Sequence, residues 1–220
     1  MESVESFKTD CFTARRGYTH KNGTLAYEKL QYDSSLVRKS IHLIRDPFDN
    51  IVSRFHLTRK IQGKDNEEFR SQYTNDANGF RKWCNLMDHK FADIELEMFN
   101  STIMNLFHQI PCHADFYRYI MWHNLAFEVV KSLDIPSLTI HYEDYAYDFD
   151  GMKAEVISFL ETEEEVSSLE KKPFTAGKSY RQYFNSKELV AVKALMYELS
   201  SIETRREVRR YFSGVSGLIL

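Results

Sequence analysis

The chain has 220 residues, of which 43% are hydrophobic and 14% aromatic, so it can bury a core and is not a disordered chain. Its formal net charge of −3 excludes binding to nucleic acid through overall positive charge, although a local basic pocket stays possible. Its 8 glycines and 4 prolines are too few for a turn-rich sandwich or barrel, so we expect long helices. The length predicts one domain over residues 1–220.

The three cysteines are far apart in the sequence, at Cys11, Cys84 and Cys112. This spacing gives neither a disulfide framework nor a zinc motif, so we predict buried or inert thiols. No window of about 18 apolar residues is present, so no membrane-spanning segment is expected. The acidic first residues contain no apolar run and predict no signal peptide. Two glycosylation sequons, at Asn22 and Asn100, are about what chance gives at this composition.

The first convincing strand is Ser40–Ile44, after a stretch over residues 10–38 that we predict to be polar and irregular. The strand ends at Arg45-Asp46-Pro47. Proline suits the first turn of a helix, and Ile51, Val52 and Phe55 then recur at helical spacing. The segment is therefore predicted as a strand, a tight turn and a helix.

The rest of the chain alternates helical patterns with one more strand. Residues 58–78 are charged and predict a solvated loop or frayed helix, with a flap over a substrate as the alternative. The further elements predicted are helical segments at 80–107, 116–130 and 152–160, a strand at 138–141, a polar connection at 161–185, and a last helix that Ser186 caps. This order predicts a helix-rich α/β fold with a parallel sheet flanked by helices.

Ligands of open α/β sheets bind at the carboxyl ends of the strands, and the end of the first strand carries suitable groups. Arg45 provides a planar fork for phosphate, Ser53 follows eight residues later on the helix, and the helix N-terminus is expected to offer free N–H groups. These groups favour a site for a phosphate monoester. The alternative is a local ion pair of Arg45 with Asp46 or Asp49, with Ser53 merely helical.

The segment Ile41–Phe55 resembles the 3'-phosphate-binding segment of the sulfotransferases, which use 3'-phosphoadenosine 5'-phosphosulfate as sulfuryl donor. The resemblance implies that Arg45 and Ser53 hold the 3'-phosphate of the donor. It also implies a parallel sheet like that of the P-loop nucleotide hydrolases. It covers roughly residues 40–212, with a weaker middle.

Two further segments are similar to the same family. Leu138–Tyr145 resembles the family's strand that ends in Tyr-Glu-Asp, which implies that Tyr142 lies near the nucleotide. Gly177–Phe184 resembles the late loop that closes over the 3'-phosphate, with Lys178 as the best candidate. A phosphate-loop reading of Gly177-Lys178-Ser179 is disfavoured, because Lys172 stands where that motif needs glycine.

The family's Ser-Gly-Thr loop and strand, which bind the 5'-phosphosulfate, have no match in residues 1–40. Phe7-Lys8-Thr9-Asp10 resembles a Lys-Thr-His segment with Asp10 in place of the catalytic histidine. We therefore expect a fold that lacks this strand and loop. The chain would then be a fragment, the product of a mispredicted gene start, or a degenerate relative of the family. Asp10 by position, or His20 by its near-neutral pKa, is the candidate general base.

The resemblance implies transfer of a sulfuryl group to a hydroxyl, on a carbohydrate rather than on a cytosolic-type acceptor, because Trp122-His123-Asn124 lies on a helix similar to one in carbohydrate-type members. The spacing of His108, Cys112, His113 and His123 predicts no metal site, and no nucleic-acid partner is expected. Activity of this chain alone is expected to be low. The alternative function is a non-catalytic nucleotide-binding or interaction module. The sequence assigns no compartment by itself, and we expect the Golgi lumen if an upstream anchor exists and the cytoplasm otherwise.

Overall fold

A computed structural model describes the backbone of residues 13–19 and 25–31, and residues 33–161 and 179–215. Three predicted site residues, Asp10, His20 and Lys178, lie outside this part of the chain. The described residues fold as two compact units. The first unit includes residues 33–42 and 125–139, and the second includes residues 43–124, 140–161 and 179–215.

The amino-terminal part contains a hairpin where an irregular stretch was predicted. Strands β1 (Thr13–Thr19) and β2 (Leu25–Gln31) pair antiparallel, with Gly17 opposite Tyr27. The prediction of an irregular chain over residues 10–38 is therefore wrong for these strands. Their polar residues obscured the alternating pattern, although Asn22-Gly23 between them is a typical hairpin sequence.

A small parallel sheet joins β3 (Ser40–Ile44) to β4 (Ser137–His141), which confirms the predicted fold class. The Ser40 N–H donates to the Pro136 carbonyl at 2.9 Å, and the Tyr142 N–H donates to the Ile44 carbonyl at 2.8 Å. Parallel strands need a long crossover, and here the crossover is a series of helices. The ends of β3 and β4 carry Arg45 and Tyr142.

The helices have the following bounds: α1 Pro47–Gln62, α2 Glu67–Gln72, α3 Ala77–His89, α4 Ala92–Met98, α5 Ser101–Phe107, α6 His113–Ser132, α7 Asp144–Tyr147, α8 Phe149–Leu160, α9 Ser186–Leu199 and α10 Ile202–Val208. Short 3₁₀ turns cover Ser34–Leu36, Arg181–Tyr183 and Arg209–Phe212. The charged stretch at residues 58–78 is largely helical, because α1 continues to Gln62 and Asn66 then caps α2. The predicted helical segment at residues 80–107 is three helices, since Asn100 starts a new one.

Aromatic rings form a large part of the core of the second unit. The buried face of α1 contributes Phe48 and Phe55 at helical spacing, and both side chains are fully buried. Phe48 meets Phe184 edge to face with ring centres 5.1 Å apart, and Phe55 packs on Trp83 at 5.7 Å. Such contacts add to the free energy of burial and hold α1 in place. In the first unit, Leu125 and Val129 form a smaller cluster.

Cys84 in α3 and Cys112 just before α6 form a disulfide. The prediction of inert thiols is therefore wrong for these two residues. Their separation of 28 positions gave no sign of pairing, because the bond depends on how the intervening helices fold back. Both side chains are completely buried.

The helices of the described residues include none that combines the length and the apolar composition of a membrane-spanning segment.

Removing this disulfide should lower stability. Closing a loop of this length reduces the conformational entropy of the unfolded chain by an amount worth about 3 kcal/mol. We expect the double variant Cys84→Ala/Cys112→Ala to unfold roughly 10 °C lower by differential scanning calorimetry. Cys11→Ala is the control and should leave the midpoint unchanged. A wild-type midpoint that equals the double variant's, and that does not respond to reductant, would contradict the disulfide.

Candidate functional site

The first turn of α1 is capped by the side chain of Asp46. Its Oδ1 accepts the N–H groups of Phe48 at 2.9 Å and Asp49 at 3.4 Å, while Pro47 has no N–H to offer. The N–H of Asp46 itself donates to Glu143 Oε1 at 2.9 Å. The expectation of free N–H groups for a phosphate at this helix N-terminus is therefore wrong. An anion at this site would have to be bound by side chains.

Asp46 also forms an ion pair with a residue far along the chain. Its Oδ2 lies 3.0 Å from Nη2 of Arg181, which also donates to the Tyr211 carbonyl. Burial raises the pKa of Asp46, while the Arg181 charge acts in the opposite direction. Both oxygens of this carboxylate thus have partners within the chain, and neither is bonded to Arg45.

Arg45 is held in place without a carboxylate partner. Its guanidinium lies 4.5 Å from the centre of the Tyr142 ring, and its carbonyl accepts the Tyr119 hydroxyl at 2.7 Å. Among the described residues no carboxylate lies within 4.0 Å of Arg45, and its Nε is buried without a hydrogen-bond partner. The alternative of a local ion pair with Asp46 or Asp49 is not present. The structure does bring the two predicted residues Arg45 and Tyr142 together.

Ser53 lies on the face of α1 that continues from its cap. Seven residues separate it from Asp46, which is about two helical turns, so Asp46, Asp49 and Ser53 form one row along the helix. Ser53 is half-buried. Arg45 directly precedes the first turn of α1, and Ser53 lies at the end of its second turn.

The segment that follows Lys178 in sequence docks on this same face. The Tyr180 N–H donates to Asp49 Oδ1 at 2.7 Å, and the Tyr180 ring lies 5.1 Å from the ring of His56, one turn beyond Ser53. The ion pair of Arg181 with Asp46 fixes the next residue of the segment. The described start of the late loop is therefore attached to α1 on both sides of Ser53.

Asp49 is a carboxylic acid of this site whose pKa is raised above its ordinary value. Burial raises the pKa of Asp49 to about 6, and the charges of Asp46 and Glu143 raise it too. The Tyr180 N–H and the Arg45 charge lower it, but less. Near neutral pH this carboxylate is largely ionised at a cost in stability, and it would repel an anion bound beside it.

A second polar network, which the sequence did not reveal, supports the ends of the strands. Glu143 Oε2 accepts the Tyr211 hydroxyl at 2.8 Å, and that hydroxyl lies 2.7 Å from His141 Nδ1. His141 Nε2 lies 3.2 Å from Glu207 Oε2. Burial, together with the Glu143 charge, raises the pKa of Tyr211. The Tyr-Glu-Asp segment was the only sequence signal, because Glu207 and Tyr211 are more than sixty residues away.

This arrangement suits an oxyanion. A guanidinium with one face on an aromatic ring and an unpartnered buried nitrogen can bind phosphate oxygens through its edge. Within the described part of the chain, no group of three or more His, Cys, Asp and Glu side chains is placed to hold a metal ion.

Comparison with known proteins gives one family. A model of the sulfotransferase domain matches residues 29–210, so the chain belongs to the sulfotransferase family. Neither the search of curated proteins nor the search of solved structures found a match.

The charge of Asp49 should make stability depend on pH. Its pKa is higher in the folded protein than in the unfolded chain, so stability falls as pH rises through about 6. We expect Asp49→Asn, which keeps an acceptor for Tyr180, to be more stable than wild type by about 1 kcal/mol at about pH 7.5, after allowing for screening by solvent. At about pH 4 the difference should vanish. Urea unfolding at both pH values measures it.

The matched control is Asp49→Ala, which removes both the charge and the acceptor. It should be less stable than the asparagine variant by about 1 kcal/mol, because the Tyr180 N–H loses its partner. A difference between wild type and Asp49→Asn that is the same at both pH values would contradict the assignment of the raised pKa.

Proposed function

We propose that this sulfotransferase-family chain binds 3'-phosphoadenosine 5'-phosphosulfate, with Arg45 and Ser53 on the 3'-phosphate, and transfers its sulfuryl group to a hydroxyl of a carbohydrate. The observation that carries the proposal is the unpaired guanidinium of Arg45, held over Tyr142 with its Nε buried. A buried donor without a partner is costly, and a bound phosphate oxygen would satisfy it.

The positions of the neighbouring groups support the same ligand. Tyr142 covers one face of the guanidinium, so the N–H groups at its edge can meet a phosphate in the plane of the fork. We propose that Ser53, which is half-buried on α1, adds one hydroxyl donor. We propose that Lys178, two residues before the docked Tyr180, supplies a further positive charge to the 3'-phosphate.

The proposed reaction breaks the bond between sulfur and the 5'-phosphate oxygen and forms a bond between sulfur and the acceptor oxygen. The bond electrons go to the leaving 3',5'-bisphosphate, and the acceptor proton goes to a general base. We propose Asp10 or His20 as that base, within a single sulfotransferase-like domain over residues 1–220. Arg45 and Ser53 hold the end of the donor remote from this bond, so their role is to position it.

A second candidate function is a non-catalytic module that binds the nucleotide only. It is favoured by the sequence of residues 1–40, which contains no Ser-Gly-Thr loop to stabilise charge on the 5'-phosphosulfate. Loss of one such donor typically lowers the rate by about 100- to 1000-fold, so we expect slow transfer at most.

Donor binding can be tested by calorimetry with adenosine 3',5'-bisphosphate. We expect Arg45→Ala to weaken binding by about 2–3 kcal/mol, because it removes a charged hydrogen-bond partner. Arg45→Lys keeps the charge but not the fork, so we expect a loss of about 1 kcal/mol. Ser53→Ala should cost about 1 kcal/mol. Arg206→Ala is the control, because Arg206 is exposed on α10.

Equal affinity of wild type and Arg45→Ala would reject the assignment of the 3'-phosphate. Equal losses in Arg45→Ala and Arg206→Ala would mean that general positive charge, rather than the site, attracts the nucleotide.

Transfer can be tested with radiolabelled donor and a panel of carbohydrate and phenolic acceptors. We expect a low rate of transfer that falls further in Arg45→Ala. The rate should also fall in one of the variants Asp10→Asn and His20→Ala, and that variant identifies the general base. Preference for carbohydrate over phenol supports the proposed acceptor. Donor binding without any transfer by the folded protein would support the second candidate instead.

A further inference from the structure

The buried disulfide is a clue to where this chain matures. Cys84 and Cys112 are joined although both side chains are completely shielded from solvent. A buried disulfide of this kind forms during folding, in a compartment where thiols are oxidised. Reducing compartments keep such thiols in the reduced form, so the bond indicates maturation in an oxidising compartment.

A second and independent feature is an exposed glycosylation sequon. Asn100, Ser101 and Thr102 form the sequon Asn-X-Thr, and all three side chains are exposed. The residue before them, Phe99, packs edge to face on Phe107 at 5.0 Å and on Tyr117 at 5.1 Å. Phe99 therefore anchors the backbone, while the sequon itself stays at the surface.

The side-chain oxygen of Asn100 accepts a hydrogen bond, whereas its side-chain nitrogen is available for attachment. Its Oδ1 accepts the Ile103 N–H at 3.1 Å and so caps α5, with the backbone of Asn100 extended. Among the described residues, no hydrogen bond is found for Nδ2 of Asn100. An N-linked glycan is attached at Nδ2, so it would leave the cap on α5 in place.

We propose that Asn100 carries an N-linked oligosaccharide, added in the oxidising lumen in which the Cys84–Cys112 disulfide forms. The bond forms between Asn100 Nδ2 and the anomeric carbon of a lipid-linked oligosaccharide. The anomeric C–O bond breaks, the lipid pyrophosphate leaves with the electron pair, and one amide proton is released. The disulfide forms when the two thiols give two electrons and two protons to an oxidised dithiol carrier.

The position of Asn100 fits a bulky attachment. No residue of α5 takes part in the Arg45–Tyr142 stack or in the docking of Tyr180 on Asp49. A glycan at the start of α5 therefore adds a hydrated group to an exposed surface and leaves the proposed phosphate-binding side chains unchanged. The other sequon, at Asn22, lies outside the described residues.

The test uses tagged protein isolated from cells of its own source. Peptide N-glycosidase in ¹⁸O-labelled water converts glycosylated asparagine into labelled aspartate, and mass spectrometry of the peptides locates it. We expect the Asn100 peptide to carry the label. Thr102→Ala, which destroys the sequon and keeps the Asn100 cap, should lose it. Thr102→Ser is the matched control, since Asn-X-Ser is still a sequon, and it should keep the label.

The same sample, alkylated before lysis, reports the disulfide. Recovery of a Cys84–Cys112 linked peptide in a non-reducing digest supports maturation in an oxidising lumen. Recovery of both cysteines in alkylated form overturns that part of the proposal. Recovery of the Asn100 peptide as fully unlabelled asparagine from wild type overturns the glycan, and label confined to Asn22 overturns it equally.

Discussion

The geometry of the site depends on the two contacts that the Asp46 carboxylate makes within the chain. Asp46 caps the first turn of α1 with one oxygen and binds Arg181 with the other. These contacts start the helix directly after β3 and fix the residue that follows Tyr180. They also leave the neighbouring Arg45 without an acidic partner, although Asp46 and Asp49 follow it closely in the sequence. Because the carboxylate of the adjacent residue Asp46 is already in use, the guanidinium of Arg45 can bind an anion from outside the chain.

The charged groups Arg45 and Glu143 at this site are each held by contacts other than an ion pair between them. The Arg45 guanidinium lies over Tyr142, where a flat aromatic face compensates part of its desolvation. Glu143 is bonded to the Tyr211 hydroxyl and to the N–H of Asp46, so it supports the turn without bonding to Arg45. A half-buried arginine whose Nε is shielded and unpaired is predisposed to bind a phosphate, which agrees with membership of the sulfotransferase family.

The elements that depend on interactions between residues close in sequence, such as β3 and α1, could be predicted from the sequence. The apolar run at residues 40–44, the proline that follows and the spacing of Ile51, Val52 and Phe55 were enough to place β3 and α1. The pairing of Cys84 with Cys112 and that of Asp46 with Arg181 could not be predicted, because both join residues far apart in the chain. The free N–H groups expected at the helix start were wrong for a local reason, since Asp46 itself is a strong N-cap residue.

The central claim is that Arg45 recognises the 3'-phosphate of the nucleotide. The most direct measurement compares the affinities for adenosine 3',5'-bisphosphate and adenosine 5'-phosphate, in wild type and in Arg45→Ala, at one salt concentration. If Arg45 holds the 3'-phosphate, wild type should prefer the bisphosphate by roughly 30-fold or more, and the variant should lose most of that preference. A preference of equal size in both proteins would contradict the claim, because the 3'-phosphate would then be bound by other residues.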